Sequence, residues 1–360
     1  MSELKQQSAA GTTWSALPAG AVIAVVAVAS SLGISLMLVR LFGGSIPDTI
    51  NAFWNGVSGS SYAVGASLNR AVTLALIGLG FVFANRANLV NVGGEGQICL
   101  GGMAATAVAV YGSAGMPPFL AVVTALTAGA AAGAFWGAIA GGLLVKRQTN
   151  EVISTLLLSF IGIYLVYWSV ESEALLRKPR TGSSTQPESL PLPPDTHLPS
   201  LFGDPDSPLH IGLPIAIVAA IAVGVVLSRT AFGLRLKAIG LGRGMARRAG
   251  LNDEFLLFAA LAVAGAFGGL AGAIMIQGEQ HVLRQGFSSN FGFSGVVVGL
   301  LARGSASAVI AFAILLGFLR SGGIEMEISA GVPSALVLVC QGLIVIVIAG
   351  STYFVFRNQS

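Results

Sequence analysis

AVTLALIGLGFVFANRANLVNVGGEGQICLGGMAA, residues 71–105, sets two apolar runs on either side of a polar break. The break holds Asn85, Arg86, Asn88 and Asn91, then Glu95 between glycines and Gln97. A soluble chain spreads such groups over its surface. This chain confines them: only 9% of its 360 residues are charged and 54% are hydrophobic. A soluble domain carries about 25% charge. With a mean hydropathy of +0.82, too little polar surface is left to face water. The long apolar runs point to a membrane protein. Lipid offers no hydrogen-bond partners, so spans must be helices or a closed barrel. The runs lack the alternation that a barrel needs, which leaves an all-α, polytopic helical fold.

Working outward from that stretch, apolar runs predict spans at about 19–42, 67–85, 97–113, 118–145, 152–170, 211–228, 254–276, 291–303, 305–320 and 334–356. The expected count is about ten. The segments at 97–113 and 291–303 are short and rich in glycine, which reads as broken or re-entrant helices. The 48 glycines suit close packing between membrane helices. Residues 1–18 form a polar tail, and 19–360 read as one transmembrane domain. The run after the tail lacks a small-residue cleavage site, so it reads as a retained span.

Lys and Arg in short loops set the orientation. Lys146 and Arg147 close one span; Arg229, Arg235, Lys237, Arg243, Arg247 and Arg248 share one loop. Both loops are expected on the cytoplasmic side, and alternation then places both termini there. The net charge of +4 arises from these span-end clusters, which argues against a nucleic-acid partner. Residues 171–210, dense in proline and polar groups, fall on the outer side as a flexible connector or a docking surface. Cys99 and Cys340 both lie in apolar runs and read as inert buried thiols. His197 and His210 read as solvated loop residues, and no zinc-ligand spacing exists.

Three stretches carry candidate chemistry. In the break, Asn91, Glu95 and Gln97 have two readings. They satisfy exposed N–H groups where a helix restarts, or they line a polar path, since membrane proteins keep such groups facing a bundle interior or watery cavity. In TNEVIST, 149–155, Thr149 is expected to cap a helix with Glu151 in its first turn, and Asn150 adds polarity. Thr155 and Ser159 share a face of that helix, suited to packing or to a conduit. In QGFSSNFGFSG, 285–295, Asn290 and Phe291 lie among Phe287, Phe293, Ser288 and Ser289, a set able to pack or to stack a flat base.

The loop 229–253 interleaves its basic residues with Phe232, Leu234, Leu236, Ile239, Leu241, Met245 and Leu251. GRGMARRAGL predicts a short helix after Gly244, stopped at Gly250. A helix with apolar and basic sides fits a protein groove or anionic lipid.

FGLRLKAIGLGRGMARRAGLN, 232–252, resembles the loop by which permease subunits of ATP-binding-cassette importers engage their ATPase. NLVNVGGEGQICLGGMAA, 88–105, and TNEVISTLLLSFIGIYLV, 149–166, resemble the nucleoside branch of the branched-chain amino acid, ribose and nucleoside permease family. RQGFSSNFGFSGVVVGLLARGSASA, 284–308, resembles that family's glycine-rich late segment. The resemblance implies a multi-pass inner-membrane permease of a bacterium or archaeon, moving a nucleoside or related purine or pentose solute. It implies a cytoplasmic ATPase, a second and non-identical permease, and an extracytoplasmic solute-binding protein. Arg235, Lys237, Gly240, Met245, Ala246, Arg247, Arg248 and Gly250 would then form the ATPase-coupling surface, while Asn91, Glu95, Gln97, Asn150, Glu151, Thr155, Ser159, Asn290 and Phe291 would form the pathway or its gate.

No G-x-x-x-x-G-K-[ST] phosphate loop occurs, so no cofactor is expected on this chain, and ATP and Mg would belong to the ATPase. With no His in any predicted span, an intramembrane enzyme has no nucleophile–base pair to use. The alternatives are the same machinery carrying a sugar or an autoinducer, and a transporter driven by an ion gradient. The ion-driven reading needs ionisable groups deep in spans.

Overall fold

The computed structural model describes residues 33–34, 36–41, 43–179, 186–203, 206–333, 335–339, 342–343 and 346. Among these no strand forms; three isolated antiparallel bridges are the only extended pairings. The helices are α1 Ile46–Ser58, α2 Ser61–Asn85, α3 Gly94–Ala107, α4 Pro118–Arg147, α5 Glu151–Glu171, α6 Gly212–Arg229, α7 Ala231–Leu241, α8 Arg243–Arg248, α9 Asp253–Met275, α10 Phe291–Leu301 and α11 Ala306–Ala330. Wide turns prolong α3 through Gly112 and α9 through Gln280.

Six described helices are long and apolar enough to cross a membrane: α2, α4, α5, α6, α9 with its extension, and α11. The expected ten are not established. The segment at 97–113 is a 14-residue helix finished by one wide turn, and that at 291–303 is an 11-residue helix. Most of 19–42 and 334–356 falls outside the described residues, as do the 1–18 tail and Cys340. The helix predicted at 305–320 runs on to Ala330, which places Glu325 and Glu327 within it.

The described residues fall into two compact units. One contains residues up to Val57 and from Leu319. In it Gly56 packs against Glu325, Phe53 lies over Gly322, and Val39, Val332, Leu336 and Val337 form a small apolar core. The other, Ser58–Phe318, holds α2 through α10 and has two distinct ends.

At the basic end, the Arg86 guanidinium donates from Nη2 to the Leu227 carbonyl at 3.1 Å. Gly240 of α7 sits on the Arg86 carbonyl, where any Cβ would intrude. Gly141, near the end of α4, packs on Phe258 in the early turns of α9, so Lys146, Arg147, Arg229 and the α7–α8 elbow share one side, as the loop charges predict. At the opposite, loop end, Asn69 of α2 donates to the Pro208 carbonyl at 2.7 Å, and Gln277 donates to the Thr196 carbonyl at 2.9 Å.

The described part of the proline-rich segment is tied down by hydrogen bonds to the end of α9. The Ser189, Leu192 and Leu198 N–H groups donate to the carbonyls of Leu283, His281 and Gln277. Thr196 and His210 are buried. His197 stacks on His281 with ring centroids 3.8 Å apart. The expectation of solvated histidines fails because the end of α9 supplies a pocket for them. No metal-holding group of three ligands forms among the described residues.

The core of this unit is a seam of α3, α4 and α9. Gly129, Gly133 and Gly137 of α4 meet Leu261, Gly265, Gly269 and Ala273 of α9. A Cβ on Gly133 would overlap the Gly265 carbonyl, and one on Gly101 of α3 would overlap Gly269. Small residues every fourth position allow this backbone contact.

Candidate functional site

The polar break becomes a junction of two short helices inside the bundle. α2 ends at Asn85, and α3 restarts at Gly94. Gly94 packs on Ile77, eight residues before the end of α2. At 1.5 Å per residue, α3 starts about 12 Å inside the basic end. Residues 86–93 thus turn back into the bundle. From the other end, residues 281–290 descend from the loop side, and α10 begins at the same depth, with Gly295 also on Ile77. A Cβ on Gly292 would overlap the Glu95 backbone, so glycine is required for the two helix starts to touch.

Glu95 joins them. Its carboxylate accepts the Asn290 N–H at 3.1 Å and the Gly292 N–H at 2.7 Å. A carboxylate between two helix N-termini is favoured by both dipoles. The expected capping of exposed N–H groups is therefore present, but the groups capped belong to α10. Asn290 and Ser289 hold positive φ, which turns the chain into that helix.

Around this tether Asn91, Gln97, Thr155 and Ser159 form a buried lattice. Asn91 and Gln97 exchange side-chain bonds at 3.2 and 3.3 Å, and Asn91 also accepts the Gly93 N–H at 2.9 Å. Thr155 accepts the Val92 N–H at 3.2 Å and donates to the Glu151 carbonyl at 2.7 Å. Ser159 donates to the Thr155 carbonyl at 3.1 Å. Asn91, Glu95, Gln97, Thr155 and Ser159 are all buried. Asn150, not Thr149, caps α5, accepting the Val152 and Ile153 N–H groups. Glu151 is half-buried in the first turn, and Asn290 is exposed. Phe291 and Phe287 are buried, and Phe287 covers Gly102. Here these two rings pack.

Sequence reasoning missed Asn69 and Gln277, amides that hold the loop-end segment. The signal for Asn69 was a polar group within a predicted span; Gln277 lies one residue past its predicted span and gave none. It also missed Trp136, whose indole donates to the Leu158 carbonyl at 3.1 Å.

At the basic end, α7 and α8 make an elbow. α8 starts at Arg243, two residues earlier than expected, and stops at Gly250 with φ +81°. Leu236, Ile239 and Ala246 face inward and are buried, while Leu234, Leu241 and Met245 are 68%, 81% and 77% exposed. Arg235, Lys237 and Arg248 are exposed beside them, Gly240 is half-buried, and Gly250 is exposed. Arg247 forms a bidentate pair with Asp253 at 3.1 and 2.9 Å. This pins α8 to the start of α9. Ala246 and Arg247 thus hold the elbow, and the outward apolar face belongs to Leu234, Leu241 and Met245.

Residues 63–349 match the family described as branched-chain amino acid transport system / permease component. The chain belongs to that family. It is a permease component of an ATP-binding-cassette importer, a transport part and not an enzyme, with a multi-pass membrane architecture. It is similar to the guanosine ABC transporter permease protein NupP of Bacillus subtilis, 30% identical over 91% of this chain and 93% of that protein. It is also similar to the glucose ABC transporter permease protein TsgB13 of Haloferax volcanii, 34% identical over 82% of this chain and 78% of that one. A third relative is the nucleoside ABC transporter permease protein NupB of Lactococcus lactis, 30% identical over 81% and 80%. No solved structure matches the chain.

Proposed function

We propose that the chain carries a nucleoside, or a related purine or pentose compound, inward across the plasma membrane of a bacterium or archaeon. The similarity to a guanosine permease along nearly the full length of both chains supports this cargo. Nucleotide chemistry takes place on a separate ATPase, which seats on the α7–α8 elbow at the cytoplasmic side. One observation carries that docking: the elbow is fixed inward by Leu236, Ile239 and the Arg247–Asp253 pair, yet leaves Leu241 and Met245 bare among cations. A basic helix kept only by topology has no use for bare apolar side chains in that pattern. A packed, clipped helix also transmits displacement to α6 and α9, which flank it.

Both termini lie on the cytoplasmic side in this reading. A second, non-identical permease completes the assembly, and a solute-binding protein delivers cargo to the loop end, where residues 186–203 present an ordered surface. Asn91, Glu95, Gln97, Thr155 and Ser159 act as a gate lattice, with Asn290 and Phe291 at the start of the half-helix it restrains. The ion-driven alternative loses ground, because Glu95 is committed to backbone N–H groups.

Uptake of labelled guanosine and of glucose by cells expressing the whole importer tests the cargo. Guanosine uptake that depends on the ATPase gene is expected. Glucose uptake with no nucleoside uptake would replace the cargo with a sugar, the second reading that the 34% identical glucose permease favours.

A further inference from the structure

Between α6 and the first turns of α11 the unit opens a groove of about 740 Å³ that neither the junction nor the elbow uses. Its walls are apolar, with Ile217, Ile221 and Ile310 along it and Gly224 at its floor. Ile217 and Ile221 are 43% and 61% exposed. From Ile217 to Ser228 the groove follows α6 for eleven residues, about 16 Å. That length suits an acyl chain more than a compact solute.

The basic end of the groove is polar. Arg86 lines it, together with Ser305 and Ser307 at the start of α11. The Ser305 and Ser307 hydroxyls lie 3.0 Å apart, and Ser305 receives the Ala308 N–H at 3.4 Å. Arg86 gives one N–H to the Leu227 carbonyl, while its Nε has no partner among the described residues. No acidic side chain lines the groove. An arginine, two hydroxyls and the positive end of a 25-residue helix converge where a lipid headgroup would lie. Basic pockets between membrane helices at this face select anionic lipids.

We propose that this groove binds one anionic phospholipid, its phosphodiester against Arg86 and the start of α11 and one acyl chain along α6. Arg86 also holds the end of α6, so the bound lipid braces the helix that leads into α7.

The assembled importer, purified in mild detergent, would be examined by native mass spectrometry with phosphatidylglycerol or phosphatidylcholine added. Wild type is expected to retain one phosphatidylglycerol in preference to phosphatidylcholine. Arg86→Gln should lower that preference about five-fold, the ratio expected for about 1 kcal/mol per basic group near a membrane surface. Gly224→Leu keeps every charge and fills the floor, and should expel the lipid even if Arg86→Gln assembles poorly. Equal retention of both lipids by wild type would overturn the proposal. So would displacement of the lipid by millimolar inorganic phosphate, or an Ile221→Cys cross-link to the second permease in place of lipid.

Discussion

Glu95 carries more of the junction than any other side chain, because one carboxylate holds two backbone N–H groups almost 200 residues away in sequence. Glu95→Gln keeps one acceptor oxygen but turns an amide N–H₂ toward the other donor. Hydrogen bonds to charged groups contribute roughly 1.5–3 kcal/mol, and a stranded buried donor costs about as much. The variant should therefore insert normally, unfold at lower temperature in detergent and lose most uptake per molecule at the membrane. Wild-type melting and uptake would show that the tether is idle. The need for a capping acid was legible in the sequence, since glycines around Glu95 announce a helix restart. Its partner was not, because nothing local to residue 95 specifies which distant N–H groups will arrive there. Thr149 illustrates the opposite failure: two adjacent residues both suit an N-cap, and backbone geometry chose Asn150.

The elbow makes a sharper distinction among its residues than its composition does. Leu241→Glu or Met245→Glu places charge on an outward apolar surface and leaves Leu236, Ile239 and Ala246 undisturbed. Such variants should keep normal abundance, while ATP hydrolysis by the assembled importer ceases to respond to cargo-loaded binding protein. Ala246→Glu forces a charge into a buried position and should lower abundance instead. Unaltered coupling in both outward variants would make the elbow a lipid-facing anchor. Periodicity gave the helix and Gly250 its end, but inward and outward leucines look alike in sequence until α9 supplies Asp253 for Arg247.

The loop-end segment titrates. Burial, with the His281 charge adding to it, pushes the His210 imidazole down to about 4. Burial, then the His197 charge, also lowers His281. A histidine with a folded value below its unfolded value near 6.5 binds fewer protons folded than unfolded. Its stabilising contribution is thus complete above pH 6.5 and disappears as pH falls toward 4, by roughly 3 kcal/mol for His210. Melting temperature should drop over that interval, and His210→Asn, which keeps an acceptor for the Gly212 N–H and removes the titration, should flatten the drop. An identical slope in the variant would assign acid sensitivity to other groups. Proline and polar residues in 171–210 rightly excluded a span, yet they did not reveal order, since its bonds come from Asn69, Gln277 and Leu283 on other elements.

At the scale of the whole chain, apolar composition alone led to helices in lipid, and the loop cations to the two ends of the Ser58–Phe318 unit. The number of crossings was less accessible, because a glycine-rich run of fourteen residues fits a half-helix as well as a short span. The glycine seam is a property of the larger unit as a body. Gly265→Ala drives a methyl into the Gly133 carbonyl, and such overpacking costs about 1–3 kcal/mol. Gly142→Ala, on the same helix as Gly133 with nothing within 4 Å of the added carbon, should be silent in the same melting and uptake assays. Equal losses from both would show that the effect does not come from the seam, since alanine is the better helix former at either position.

Backbones pressed together along α3, α4 and α9 leave no slit through which a ribose or a purine ring could squeeze. On the proposed reading, cargo travels past the outside of this welded trio. Whatever shifts to let it by must turn about the Glu95 junction and the elbow, while the trio stays still like a doorpost.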